Sequence, residues 1–253
     1  MPYIISAILL LVFYIGAVLC MPYMKSTRLF NYIFSLAVTM CYLFVMVTVY
    51  RSVGFEDWNF QNTLPVANVS PFMFTLAIFI NLIPLKVRRH LYLLISLLSV
   101  GMLLSAVLGC VYNAYINYRF HLHFLSDYLA HVFLSLWGVY LVRSGQVDLK
   151  RKNALISSGV IVGAAFIMLT LNLIFDTSFF GLSLNGKHNI YNMVLTDNSY
   201  LSAILYFLGL AVVLGAGFVY CYLLKPKASI ARADVAGDKP DSTDASENSY
   251  THA

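Results

Sequence analysis

The chain has 253 residues and a formal net charge of +5, with 60% hydrophobic and only 11% charged side chains. Soluble domains average roughly 45–50% apolar and about 25% charged residues, so water cannot solvate most of this surface and a soluble catalytic domain is excluded. The basic residues lie between apolar stretches and never form an aromatic-interleaved run, so nucleic acid is excluded as a partner.

A bilayer core takes ~20 apolar residues of helix to cross. The sequence supplies that length over 2–22, 28–50, 67–85, 91–113, 122–143, 154–175 and 200–224. The expected fold is all-α: a polytopic membrane protein, with a seven-transmembrane-helix bundle over residues 1–224. Span one has no basic residue before Lys25, unlike a secretory leader. Ala17-Val18-Leu19-Cys20 has the outline of a lipoprotein cleavage site, but Leu19 is too bulky for it, so a membrane helix is expected.

Lys25 and Arg28 follow span one, and Lys86, Arg88 and Arg89 follow span three. Arg143, Lys150, Arg151 and Lys152 follow span five, and Lys225, Lys227 and Arg232 open the tail. The alternate loops hold only Arg51, Arg119 and Lys187. The positive-inside bias puts the N-terminus outside and the C-terminus in the cytoplasm. The expected location is a cell membrane, with membrane lipids as partners.

The loop at 51–66 carries Glu56, Asp57, Trp58 and Asn59. Span three then opens on a polar run, with Pro65, Asn68, Ser70 and Pro71. Pro71 lacks a backbone donor and is expected to free the Ala67 carbonyl in a kinked opening that lines a cavity. The ordinary alternative is a helix start capped by Asn68 or Ser70.

Span five holds Asp127 and His131. Four residues apart, they share one helix face. A carboxylate at membrane depth is costly and is normally paired or functional. Asp127 is expected to orient the His131 imidazole and raise its basicity; the plainer alternative leaves Asp127 wet at the outer interface while His131 hydrogen-bonds a neighbouring helix. In span six, Asn172 can join helices through its amide, and Gly159 with Gly163 forms a GxxxG that allows homo-oligomer contact.

The loop at 176–199 contains Asn189, Tyr191 and Asn192 and is long for a bundle connection. It is expected to cover the helix ends as a lid or to lie in the interface. Residues 225–253 are too polar to order and form a cytoplasmic tail. Cys20, Cys41, Cys110 and Cys221 form no CxxC pair and read as packing residues. His121 and His123, two apart, share no helix face. No metal and no cofactor are expected.

Three segments carry a resemblance. The run Trp58-Asn59-Phe60-Gln61-Asn62-Thr63-Leu64-Pro65 is similar to the opening of the third region in YwaF-type bacterial integral membrane proteins. Asp127-Tyr128-Leu129-Ala130-His131 resembles their histidine helix, and Asn172 with Asn189-Ile190-Tyr191-Asn192-Met193 resembles their later polar positions. The likeness covers roughly residues 25–224. It implies kinship with eukaryotic acyltransferases that act on ether-linked lysophospholipids through a membrane cysteine and a histidine. The histidine carries over to His131. Where the cysteine is expected this chain has Val69, beside Ser70, and a valine is no nucleophile.

The leading expectation is therefore an integral membrane protein with a polar pocket at its outer end for a lipid-like or small amphipathic ligand. His131, Asp127, Ser70, Asn68, Asn172, Asn192 and Trp58 are the candidate site residues. Within it, His131, Asp127 and Ser70 are the candidates for acyl transfer. The activity itself stays undetermined: a membrane acyltransferase acting on phospholipids is one alternative, and a small-solute transporter or a membrane sensor is the other.

Overall fold

The computed structural model describes residues 2–21, 28–53, 68–116, 122–175, 177, 179–182 and 198–225. Among these, all regular structure is helical. In chain order the helices are α1 (Pro2–Cys20), α2 (Arg28–Val53), α3 (Val69–Phe79, extended by a 3-10 turn at Ile80–Leu82), α4 (Leu85–Ile116), α5 (Leu122–Arg143), α6 (Arg151–Phe175) and α7 (Ser199–Leu224). A second 3-10 turn at Phe179–Gly181 follows α6.

Six of the helices are long and apolar enough to cross a membrane. Their outer surface is oily: Ile8 is 58% exposed, Leu155 74% and Val212 69%. Side chains of this kind each favour burial from water by about 1.5–3 kcal/mol, and hydrocarbon removes that penalty. The bundle is thus compatible with an integral, multi-pass membrane protein. Its core is α4 and α5, where residues 91–99 and 134–142 are buried continuously.

Close approach of these two helices to their neighbours depends on missing side chains. A Cβ on Gly138 of α5 would sit 2.9 Å from the Ile95 carbonyl oxygen, and one on Gly217 of α7 would overlap the Leu97 carbonyl oxygen. Small polar groups then bond across the seams, as in membrane bundles generally. Ser96 Oγ donates to Gly138 O at 3.0 Å, Ser135 Oγ to Ser99 O at 2.7 Å, and Ser35 Oγ to Ala77 O at 2.7 Å. By contrast, a Cβ on Gly159 or Gly163 would meet nothing within 4 Å.

The third expected span is shorter than its hydropathy implies. The 11 residues of α3 and its three 3-10 residues reach roughly 22 Å, against a hydrocarbon core of ~30 Å. Its far end stops because Pro84 follows: Ile83 is extended, with φ −80° and ψ 140°, as a residue before proline prefers. Its start corrects the kink expected at Pro71. The helix begins at Val69, so Pro71 lies in the first turn and removes no intrahelical bond.

Two ends of the bundle can be told apart. Arg143 Nη1 donates to Val18 O at 3.0 Å, joining the ends of α5 and α1. The start of α2 meets the end of α5 there, through Asn31 and Gln146. This basic end also holds Lys86, Arg89 and Arg151. The opposite end holds the starts of α3 and α5.

Candidate functional site

Ser70, the second residue of α3, meets His131 near the middle of α5. Ser70 Oγ lies 2.8 Å from His131 Nε2, and His131 Nδ1 lies 2.8 Å from the backbone carbonyl of Asp127. A carbonyl can only accept, so Nδ1 carries a proton. In the neutral ring Nε2 is then bare, and the Ser70 hydroxyl donates to it. That is the proton arrangement of a hydroxyl next to its general base.

His131 is buried within the helices, and Ser70 is half-buried. His131 is only 6% exposed and stands nine residues into α5, roughly 14 Å along the helix. Phe74 meets the imidazole edge-on, with ring centroids 5.0 Å apart, and Tyr42 packs on Phe74 at 5.5 Å. Met102 Sδ approaches Ser70 Oγ at 3.9 Å. The first turn of α3 thus opens inside the bundle. Among the described residues, the backbone N–H groups of Val69 and Ser70 have no acceptor, as first-turn donors lack one in any helix. Together with the helix dipole they favour negative charge beside the Ser70 hydroxyl.

Asp127 keeps its carboxylate at an ion-pair distance from the ring, with no hydrogen bond to it. Its carboxylate oxygen is 3.8 Å from Nδ1 and its side chain is 37% exposed. The main-chain oxygen of the same residue takes the hydrogen bond instead, because a residue four positions on points its side chain back over that carbonyl. Asn68 is the N-cap of α3 by position. It is exposed, and its side chain makes no capping hydrogen bond.

Asn172 is a structural residue. Its Nδ2 donates to Phe179 O at 2.9 Å and to Leu182 O, while its Oδ1 accepts from Thr177 Oγ1 at 2.8 Å and from Phe179 N at 2.7 Å. An amide has two donors and two acceptor lone pairs, so nothing remains for a ligand. These bonds hold Phe180 in the left-handed region, at φ 57°, where its ring packs edge-on to Phe72 at 5.7 Å. Sequence reasoning missed Phe74, Met102 and Phe180, which carry no pattern beyond hydrophobicity.

Trp58 and Asn192 lie outside the described residues, as do Arg119 and His121. The 51–66 loop beyond Val53 lies outside them as well, as does the 176–199 loop, the expected lid, apart from residues 177, 179–182 and 198–199. Among the described residues, no group of three His, Cys, Asp or Glu side chains converges as a metal site would require. Neither Ser70 nor His131 lines the 690 Å³ cavity, which lies at the basic end.

No known family model, curated protein or solved structure matches this chain.

Proposed function

We propose that this protein is a cell-membrane protein that crosses the bilayer seven times, N-terminus outside, and acts on the acyl ester of a lipid-like ligand at Ser70 and His131. The observation that carries the reading is the 2.8 Å contact between Ser70 Oγ and His131 Nε2. As Oγ attacks an ester carbonyl, Nε2 takes its proton. The oxygen that becomes negative is stabilised by the Ser70 and Val69 N–H groups at the α3 N-terminus. Collapse expels the alcohol, a lysolipid, which takes the proton back from His131 and leaves an acyl-serine. A second lysolipid hydroxyl, or water, then receives the acyl group by the reverse steps.

The likeness to acyltransferases of ether lysophospholipids supports the same reaction class. Here Ser70 stands one position beyond Val69, where those proteins carry their cysteine. A hydroxyl is a weaker nucleophile than a thiolate, so slow turnover is expected. Pro71 also removes the donor that would follow the nucleophile.

A second reading rests on Asp127. Its carboxylate stands off the imidazole and is partly exposed, which suits a site that binds an amphipathic ligand, for transport or sensing, without turning it over. One assay separates the two. Purified protein is incubated with labelled phospholipid and lysophospholipid, and mass spectrometry looks for an acyl adduct on Ser70. Transfer that is lost in Ser70→Ala and in His131→Ala supports the enzyme. Saturable lipid binding with neither transfer nor adduct rejects the enzyme and leaves the binder.

A further inference from the structure

We infer that the basic end of the bundle carries a second site, which binds the phosphate group of an amphiphilic ligand. The site is independent of Ser70 and His131. It is a cavity of about 690 Å³, within the range of about 300–1,000 Å³ usual for small-molecule sites.

The wall on α4 is cationic. Lys86, Arg89 and His90 stand three and four positions apart, on one face of its first turns, and all line the cavity. Their neighbour Arg88 does not. Its guanidinium donates to Asn81 O at 2.8 Å and to Ile83 O at 2.7 Å and 3.0 Å, closing the end of α3. Among the described residues, Lys86 and Arg89 have neither an ion pair nor a hydrogen-bond partner. The positive-inside rule accounts for cations at this end. It does not account for two unpaired ones facing a hollow while the third is bound to main-chain carbonyls.

The facing wall is the turn after α5, and it is rigid. Gly145 has φ 71°, Gln146 N donates to Leu141 O at 3.0 Å, and Gly145 N to Val142 O at 3.1 Å. These are the paired bonds of a Schellman cap, which needs glycine at the left-handed position. Behind the turn, Trp137 Nε1 donates to Asn31 Oδ1 at 3.0 Å and Asn31 Nδ2 to Gln146 Oε1 at 2.6 Å. Gln146 Nε2 continues to Ser144 Oγ at 2.9 Å. A wall held from behind in this way loses little freedom when a ligand binds.

Asp148 is the acid on the walls. Its charge is partly met by Lys150 Nζ at 3.3 Å and by Asn153 Nδ2 at 3.0 Å, so the cavity stays net positive. Leu85, Tyr92, Leu93 and Val147 add an apolar lining. Two cations beside apolar surface, at the end of a membrane bundle, match a phosphate attached to a hydrocarbon-bearing group. A guanidinium is suited to phosphate by its fork of donors. A lipid headgroup and a soluble phosphate compound share this chemistry.

The test uses the full chain in phosphatidylcholine nanodiscs. Binding of dioctanoyl phosphatidic acid and of inorganic phosphate is titrated by native mass spectrometry. Lys86→Gln with Arg89→Gln should weaken phosphatidic acid binding at least tenfold. Arg151→Gln with Lys152→Gln removes the same charge from the same end, outside the cavity, and should change it less than twofold. Val147→Trp fills the cavity with all charges intact and should also cost tenfold, with the thermal midpoint of each variant retained. Saturable phosphatidic acid binding that inorganic phosphate does not displace supports a lipid headgroup as the ligand, and displacement by phosphate supports a soluble one. Equal weakening by both charge pairs, no effect of Val147→Trp, or no binding of either phosphate probe overturns the proposal.

Discussion

Ser70 and His131 are 61 positions apart in the chain and share a hydrogen bond of 2.8 Å. The bond joins the short helix α3 to the central helix α5 and satisfies a ring nitrogen of the buried His131. Ser70→Ala leaves that nitrogen buried without a donor, at a cost of about 1–3 kcal/mol. Thermal unfolding of detergent-solubilised protein should record the loss, and acyl transfer should vanish. Ser70→Cys should transfer faster than the native protein, since a thiol is the better nucleophile. Transfer in Ser70→Ala at the native rate would remove Ser70 from the chemistry.

His131 keeps its tautomer through a main-chain oxygen, so the side chain of Asp127 is dispensable for it. Asp127→Asn should therefore leave Nδ1 protonated and Nε2 bare in nitrogen-15 spectra of labelled histidine. Stability should stay within about 0.5 kcal/mol, as for a partly exposed side chain with no short bond. A switch of tautomer in this variant would mean that the carboxylate orients the ring after all.

The long helices were legible because hydrocarbon imposes one simple rule, and a run of ~20 apolar residues obeys it visibly. α3 was harder. Its apolar run is continuous with polar residues before it and Pro84 after it, so hydropathy alone overstated its length. The face shared by Asp127 and His131 followed from helical spacing, yet spacing says nothing of which atom of Asp127 meets the ring. The nearness of Ser70 to His131 depends on how α3 packs against α5, and no local pattern encodes that. Lys86 and Arg89 were read as topology signals; the cavity they face exists only once the turn at Gly145 is folded against α4.

Asn172 makes four bonds to the segment after α6, and all four end on residues 177–182. Asn172→Leu is nearly equal in size and makes none of them. It should destabilise the protein by at least about 2 kcal/mol, because several buried main-chain groups lose partners together. Release of Phe180 from its left-handed backbone should follow, since those bonds oppose the strain on both sides of it. A cysteine placed at Leu182, which is buried, should label slowly in the native background and fast beside Asn172→Leu. Equal labelling rates would show that the segment is held by other contacts.

The glycines differ in what faces them. Gly217 faces the Leu97 carbonyl so closely that Gly217→Ala must push α7 away from α4. Overpacking of this kind costs about 1–3 kcal/mol, and the thermal midpoint should fall. A Cβ at Gly159 or Gly163 meets nothing within 4 Å, so Gly159→Leu with Gly163→Leu should lower that midpoint less than Gly217→Ala does. We propose that this open stripe receives a second copy of the chain, as GxxxG surfaces do in membranes. Crosslinking in bilayers should then recover a dimer from the native protein and a monomer from the double variant. A dimer that survives both leucines would place the contact elsewhere, and a fall in monomer stability as large as that of Gly217→Ala would mean that α6 packs more tightly on its own bundle than the open space around these two glycines allows.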